Sequence, residues 1–124
     1  MKASISNYRQ APRKVRLVTN LVKGKPAHVA QALLNRLVKR GAHPVKKLLD
    51  SAIANSGVSA NELVVKDITV NKGVIIKRWM PRAMGRAFPI HKHTSQVSIV
   101  LAKKDDIKKK SVPAKKVSAK KKTK

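Results

Sequence analysis

The chain has 124 residues, 30 Lys and Arg against 5 Asp and Glu, a formal net charge of +25, 42% apolar residues and no Cys. One ordinary core is feasible, but disulfides, thiolate chemistry and Cys-ligated zinc are excluded. So lopsided a charge repels itself unless a polyanion offsets it, and nucleic acid is the expected partner, because each docked Lys or Arg releases condensed counterions.

No run of about 18 apolar residues exists to span a bilayer, and Met1-Lys2 is followed by polar residues, not by the apolar core of a signal peptide. Ala3 to Tyr8 alternates weakly and is read as an edge strand. Pro12 suits the first turn of a helix over Arg13 to Lys23, with Val15, Val18 and Val22 on one face, Leu17 and Leu21 flanking it, and Gly24 as terminator. Pro26 opens a second helix whose stripe of Ala30, Leu33, Leu34, Leu37 and Val38 stops at Gly41. Pro44 opens a third, with Val45, Leu48, Leu49, Ala52 and Ile53 inward, ending near Gly57.

After Asn61 the period shortens. Leu63 to Val70 is rich in β-branched residues, Val74-Ile75-Ile76 continues it past a bend at Gly73, and Gln96 to Leu101 alternates as a strand does. If Lys72 to Arg82 and Phe88 to Val97 are the arms of a hairpin, each reaches about 30 Å at about 3.3 Å per residue. A body of about 100 residues has a radius of gyration of only about 13 Å, so the hairpin is expected to overhang it. Residues 103–124 hold eleven Lys and two Asp, a net of +9, and too few apolar residues to order themselves. They are expected to form a disordered basic tail behind a body of residues 1–102, whose net charge is +16.

The segment between the two hairpin arms carries the chemistry. Lys77 to His93 contains no acid and holds the only Trp and the only Phe of the chain, Trp79 and Phe88. A solvated loop has no reason to show these rings, with Met80 and Met84, beside so much positive charge. A loop inserted into folded RNA does: Arg78, Arg82 and Arg86 offer forked phosphate contacts, the rings offer stacking, and Pro81, Gly85 and Pro89 set a narrow, non-helical path. Lys77 and Lys92 add charge. A second basic group, Arg9, Arg13, Lys14 and Arg16, leads into the first helix, where free N–H groups also attract phosphate.

Other chemistry finds little material. His91 and His93 share a face but have no acid nearby in sequence to complete a metal site, and the carboxylates Asp50, Glu62, Asp67, Asp105 and Asp106 supply no acid–base pair except the adjacent last two. Gly24-Lys25 lacks the upstream Gly of a P-loop. No enzyme, metal or cofactor is expected.

Three blocks in order, Pro12-Arg13-Lys14-Val15-Arg16-Leu17-Val18, Leu49-Asp50-Ser51-Ala52-Ile53-Ala54-Asn55, and Lys77 to Ala87 with Thr94-Ser95, closely resemble the universal L-twenty-two family of large-subunit ribosomal proteins, bacterial type. The resemblance covers nearly all of the first 102 residues. It implies a small α+β body on the outside of the large subunit, in contact with ribosomal RNA and neighbouring ribosomal proteins. It also implies a long hairpin whose tip, here Trp79, Met80, Pro81, Met84, Gly85, Phe88, Pro89 and Ile90, lines the exit tunnel and meets the nascent peptide. Bacterial members typically continue the tip with Lys, Asp and Arg, whereas this chain has Met84, Phe88 and Pro89.

The expectation is therefore an α+β fold of three helices on a small antiparallel sheet with a protruding β-hairpin over about 72–97. Its function is that of a ribosomal RNA-binding structural protein in a cytoplasmic or organellar ribosome, with no membrane partner. An architectural DNA-binding protein is the alternative, because the Lys/Ala/Pro/Val tail resembles those of chromatin-compacting proteins; the overhanging irregular tip favours RNA.

Overall fold

The computed structural model describes residues 1–104; the expected tail lies outside them from residue 105 onward. The elements are β1 (Lys2–Tyr8), α1 (Pro12–Val22), α2 (Ala27–Arg36), α3 (Ala42–Ala54), β2 (Leu63–Pro81) and β3 (Ala87–Lys103), with a single 3-10 turn over Ala83–Gly85. The sheet is antiparallel in the order β1-β3-β2, so the fold is α+β with a long β2/β3 hairpin, as the sequence implies. β3 continues through Lys103, opposite Leu63, and the Lys104 amide donates to the Glu62 carbonyl at 3.0 Å. The sheet thus runs slightly past residue 102.

The helices cover one face of the sheet. Val15, Val18 and Val22 of α1 are buried, as are Val45, Leu48, Leu49 and Ala52 of α3, against Leu63, Val65, Ile68, Val70, Val97, Ile99 and Leu101. Pro12 stands at the start of α1, where its missing N–H costs nothing. Gly24 ends the helix at φ +77, a conformation with no Cβ penalty. Its amide donates to Val65 O at 2.9 Å and Val65 N–H returns to Lys25 O at 3.0 Å, which stitches the helix end to β2.

Two expectations about the helices need correction. α2 ends at Arg36, not near Gly41: Ala27, Ala30 and Leu34 suffice to bury it, and the chain then turns through Lys39 N–H to Leu37 O and Ala42 N–H to Lys39 O to start α3. Leu33, inside α2, is exposed and Val38, beyond it, is 95% exposed, so neither extends an inward stripe. Gly41 is not a terminator but the residue before α3, where a Cβ would sit 3.2 Å from Gln10 Oε1 and 3.4 Å from Val18 Cγ2. α3 likewise starts two residues ahead of Pro44, which its unpaired first turn tolerates.

The sheet keeps its apolar residues inward by slipping register. One extra residue enters β2 between Val65 and Asp67, so burial passes from odd positions (Leu63, Val65) to even ones (Ile68, Val70) while β3 keeps its phase. A second enters between Lys72 and Ile75, at Gly73, and a third enters β1 between Ile5 and Tyr8, where Asn7 takes φ 55. Gly73 is required by space. A Cβ there would lie 2.6 Å from Thr94 Oγ1, and Thr94 is buried and donates to the Val74 carbonyl at 2.6 Å. Gly73→Ala is therefore expected to destabilise the protein by about 1–3 kcal/mol through overpacking. Adding Thr94→Ala should restore part of the loss in thermal melts; an unchanged melt for the single variant would show that the bulge yields freely.

Lys23 Nζ lies 2.7 Å from Asp67 Oδ1, the ion pair found among the described residues. The hydrogen bond from Lys23, helped by its charge and by the Ile68 amide, lowers the Asp67 pKa below its ordinary value of 3.8. The folded state thus favours the carboxylate, and this stabilisation is present above the unfolded pKa and is lost as pH falls through the lowered folded value. Both side chains are about half exposed, so screening limits the pair to about 1 kcal/mol or less. Asp67→Asn should lower stability slightly at pH 7 and not at all near pH 2, read by denaturant melts at the two pH values.

Candidate nucleic-acid interface

Beyond Lys72 and Ser95 the β2/β3 ribbon leaves the body and stays paired through Trp79 opposite Pro89, Met80 opposite Phe88 and Pro81 opposite Ala87. β1 ends opposite Ser95, so from His93 outward the outer edge of β3 has no β1 partner. Into this corner the chain brings the link between β1 and α1. Ser95 Oγ donates to the Gln10 carbonyl at 2.7 Å, and the Tyr8 hydroxyl donates to Gln10 Oε1 at 2.7 Å and lies 3.3 Å from the Arg40 carbonyl. Burial raises the Tyr8 pKa above its ordinary 10.0, against the opposing pull of Arg40, so the hydroxyl keeps the proton that it donates.

The result is a cleft of about 640 Å³ between body and hairpin base, lined by Arg9, Lys14, Arg40, Arg78, His91, Lys92 and His93 with Gln10, Ala11, Ile76 and Thr94. No carboxylate lines it. Four of the residues picked out in sequence, Arg9 and Lys14 from the first basic group and Arg78 and Lys92 from the hairpin, thus meet in one place. Arg13 stays exposed on α1 outside the cleft. Arg16 turns toward the sheet, where Nη2 donates to the Val70 carbonyl at 2.7 Å and ties α1 to the hairpin base, although the residue as a whole remains exposed. Lys77 sits between Ile76 and Arg78, level with the cleft but not among its lining, and Arg82 and Arg86 lie at the turn; all three are exposed.

At the tip, Trp79 is 66% exposed, Phe88 60% and Met84 94%. Pro81, Gly85 and Pro89 are exposed too, and Ile90 is half-buried opposite Arg78. Paired residues of an antiparallel ribbon share a face and successive ones alternate, so Trp79 and Pro89 lie on one face and Met80 and Phe88 on the other. The two rings are not stacked on each other; each offers its own face to a partner. The turn is not wholly non-helical, as its residue pattern suggested. Ala83–Gly85 forms a 3-10 turn closed by Arg82 N–H to Arg86 O at 2.9 Å, with Met84 at φ 58 and Gly85 at φ 68. Pro89 sits in β3, within the ribbon and not in the turn.

Residues 3–102 match the family described as ribosomal protein L22p/L17e. The chain is 50% identical over 105 residues to the large ribosomal subunit protein uL22 of Mesoplasma florum, covering 82% of this chain and 94% of that protein. It is 48% identical over 105 residues to the protein of the same name from Mycoplasma capricolum, covering 82% and 95%, and 45% identical over 104 residues to that of Mycoplasmopsis agalactiae, covering 81% and 91%. The chain belongs to the L22p/L17e family. That is a family of ribosomal proteins, not of enzymes, and these relatives are bacterial.

The L22p/L17e blocks recognised in sequence have structural duties here. Thr94 and Ser95 fasten the hairpin to Val74 and the basic link to β3, and Asp50 accepts a 2.7 Å hydrogen bond from Gln31 Nε2 that joins α2 to α3. The sequence reading missed Arg40, which reaches the cleft from the link between α2 and α3, and it weighed His91 and His93 as metal ligands without seeing them line a cationic cleft. Their ring centroids are 6.4 Å apart. No group of three or more His, Cys, Asp or Glu suited to a metal occurs among the described residues.

Proposed function

We propose that the protein is a structural constituent of the large subunit of a cytoplasmic ribosome, binding large-subunit ribosomal RNA through the cleft and hairpin and lining the peptide exit tunnel with its tip. The observation that carries this reading is the cleft. Cationic side chains from the β1–α1 link, α1, the α2–α3 link and both hairpin strands converge on it with no acid among them, an arrangement that offers no pocket chemistry beyond holding phosphates in a fixed position. Family membership supplies the ribosome as the setting, and the names of the relatives place those proteins in the large subunit.

Arg9, Lys14, Arg78 and Lys92 hold phosphate in the cleft, joined by Arg40, while Arg13, Lys77, Arg82, Arg86 and the free donors of Arg16 extend the contact along the body and ribbon. Trp79 and Phe88 stack on or wedge between bases on opposite faces. The remaining tip, Met80, Pro81, Met84, Gly85, Pro89 and Ile90, meets the nascent peptide. The protein is expected to co-sediment with large subunits in moderate salt, and its affinity for large-subunit RNA is expected to fall steeply with salt, each neutralised phosphate adding about 0.7–0.9 to the logarithmic slope. A salt-independent affinity would overturn the reading.

A further inference from the structure

We propose that a leucine-lined groove along the flank of α1, beside its core-facing side, is a docking site for an amphipathic helix of a neighbouring protein, one that carries leucine-sized residues flanked by Asp or Glu. The inference goes beyond the RNA-binding reading: the groove adjoins the cleft and shares Gln10, Lys14 and Arg40 with it, but its leucines and its outer rim of Lys25 and Lys39 lie outside the cleft.

The apolar stripe of α1 is wider than the core covers. Val15, Val18 and Val22 face the core, whereas Leu17 and Leu21, four residues apart and so stacked on one helix face, are 67% and 50% exposed. Across from them Leu33 of α2 is exposed and Leu37, just past its end, is half-buried. Two adjoining hollows result, both lined by Leu21 and Leu37. One, of about 490 Å³, adds Leu17, Val18, Gln10, Lys14, Lys39 and Arg40; the other, of about 100 Å³, adds Val22, Lys25, Leu33 and Leu34. A face of this kind gains nothing from phosphate, and burial of its leucines calls for apolar side chains.

The rim selects the occupant. Every charged residue lining the two hollows, Lys14, Lys25, Lys39 and Arg40, is basic. A second copy of the chain would bring another body of net +16 against it, and residues 105–124 of the chain itself carry nine Lys against Asp105 and Asp106. Both are repelled. An acid-flanked apolar helix satisfies groove and rim together, in the manner of helix-in-groove recognition.

The test uses the full chain and two fluorescein-labelled helical peptides with leucines four apart on one face, flanked by Glu in one and by Lys in the other, with binding read by fluorescence anisotropy at fixed salt. The Glu-flanked peptide should bind, and Leu17→Ser with Leu21→Ser should weaken it at least about tenfold while leaving the melting curve and the affinity for large-subunit RNA unchanged. Lys25→Glu with Lys39→Glu should weaken the Glu-flanked peptide and strengthen the Lys-flanked one. Equal binding by the wild type and the serine variant would mean charge attraction alone and would overturn the proposal. So would loss of RNA affinity in the serine variant, which would make the groove an RNA surface, or a chain dimer that the same variant abolishes. Failure to co-sediment with large subunits would instead count against the ribosomal reading and leave these outcomes intact.

Discussion

Deleting Met80 to Ile90 is expected to spare folding and incorporation into the large subunit while changing how the particle responds to tunnel-binding antibiotics or stalling nascent peptides. The core pairs of the hairpin, Ile68 with Ile99 and Val70 with Val97, lie well inside the body and owe no burial to the tip. Most of the cleft survives as well: Arg9, Lys14, Arg40, His91 and Lys92 lie outside the deleted stretch, while Arg78 joins Trp79 in the turn that then closes the pair Lys77 and His91. What goes is the exposed apolar surface of Met80, Met84 and Phe88, together with Arg82 and Arg86. Purified subunits carrying the deletion, compared with intact ones for protein content and for drug or stalling response, check both halves. Loss of incorporation would make the tip an assembly anchor, and unchanged responses would mean that it does not reach the tunnel.

Replacing Arg9, Lys14, Arg78 and Lys92 together by Gln is expected to lower affinity for large-subunit RNA by about two to three orders of magnitude near 0.1 M salt. It should also reduce the logarithmic salt slope by about 3, four contacts at about 0.7–0.9 each. All four side chains are exposed, so the fold should tolerate the change, and its melting temperature should rise slightly as like charges are removed. The matched control replaces Lys2, Lys46, Lys47 and Lys66, none of which lines the cleft. Filter binding over a salt series separates the two outcomes. If both variants lose affinity equally, net charge alone governs binding and the cleft has no special place in it.

The three amphipathic helices and the overhang of the hairpin were legible in the sequence because each rests on a local property: the 3.6-residue spacing of Val15, Val18 and Val22, and the number of β-prone residues either side of the tip. The end of α2 was not, because Leu33, Leu37 and Val38 continue a helical stripe that only the packing of Ala27, Ala30 and Leu34 and the turn into α3 interrupt. Nor were the register slips at Lys66 and Asn7, which leave little local trace; they exist to keep β2 and β1 facing a core that β3 defines.

The cleft belongs wholly to tertiary structure. Arg9, Arg40 and Arg78 are separated by about thirty to forty residues each, and no spacing rule joins them. Ser95, Tyr8 and Gln10 do, by hydrogen bonds that seat one basic link on the open edge of β3. Arg16 shows the converse: in sequence it is one more cation in a basic run, and only the 2.7 Å bond to Val70 gives it a part in holding the hairpin base. Sequence by itself determined the charge imbalance and which elements form, because these follow from composition and short-range periodicity. Where the cations meet, which leucines stay outside and which face each tip ring shows were decided by the tertiary structure alone, because they depend on contacts between residues far apart in the chain.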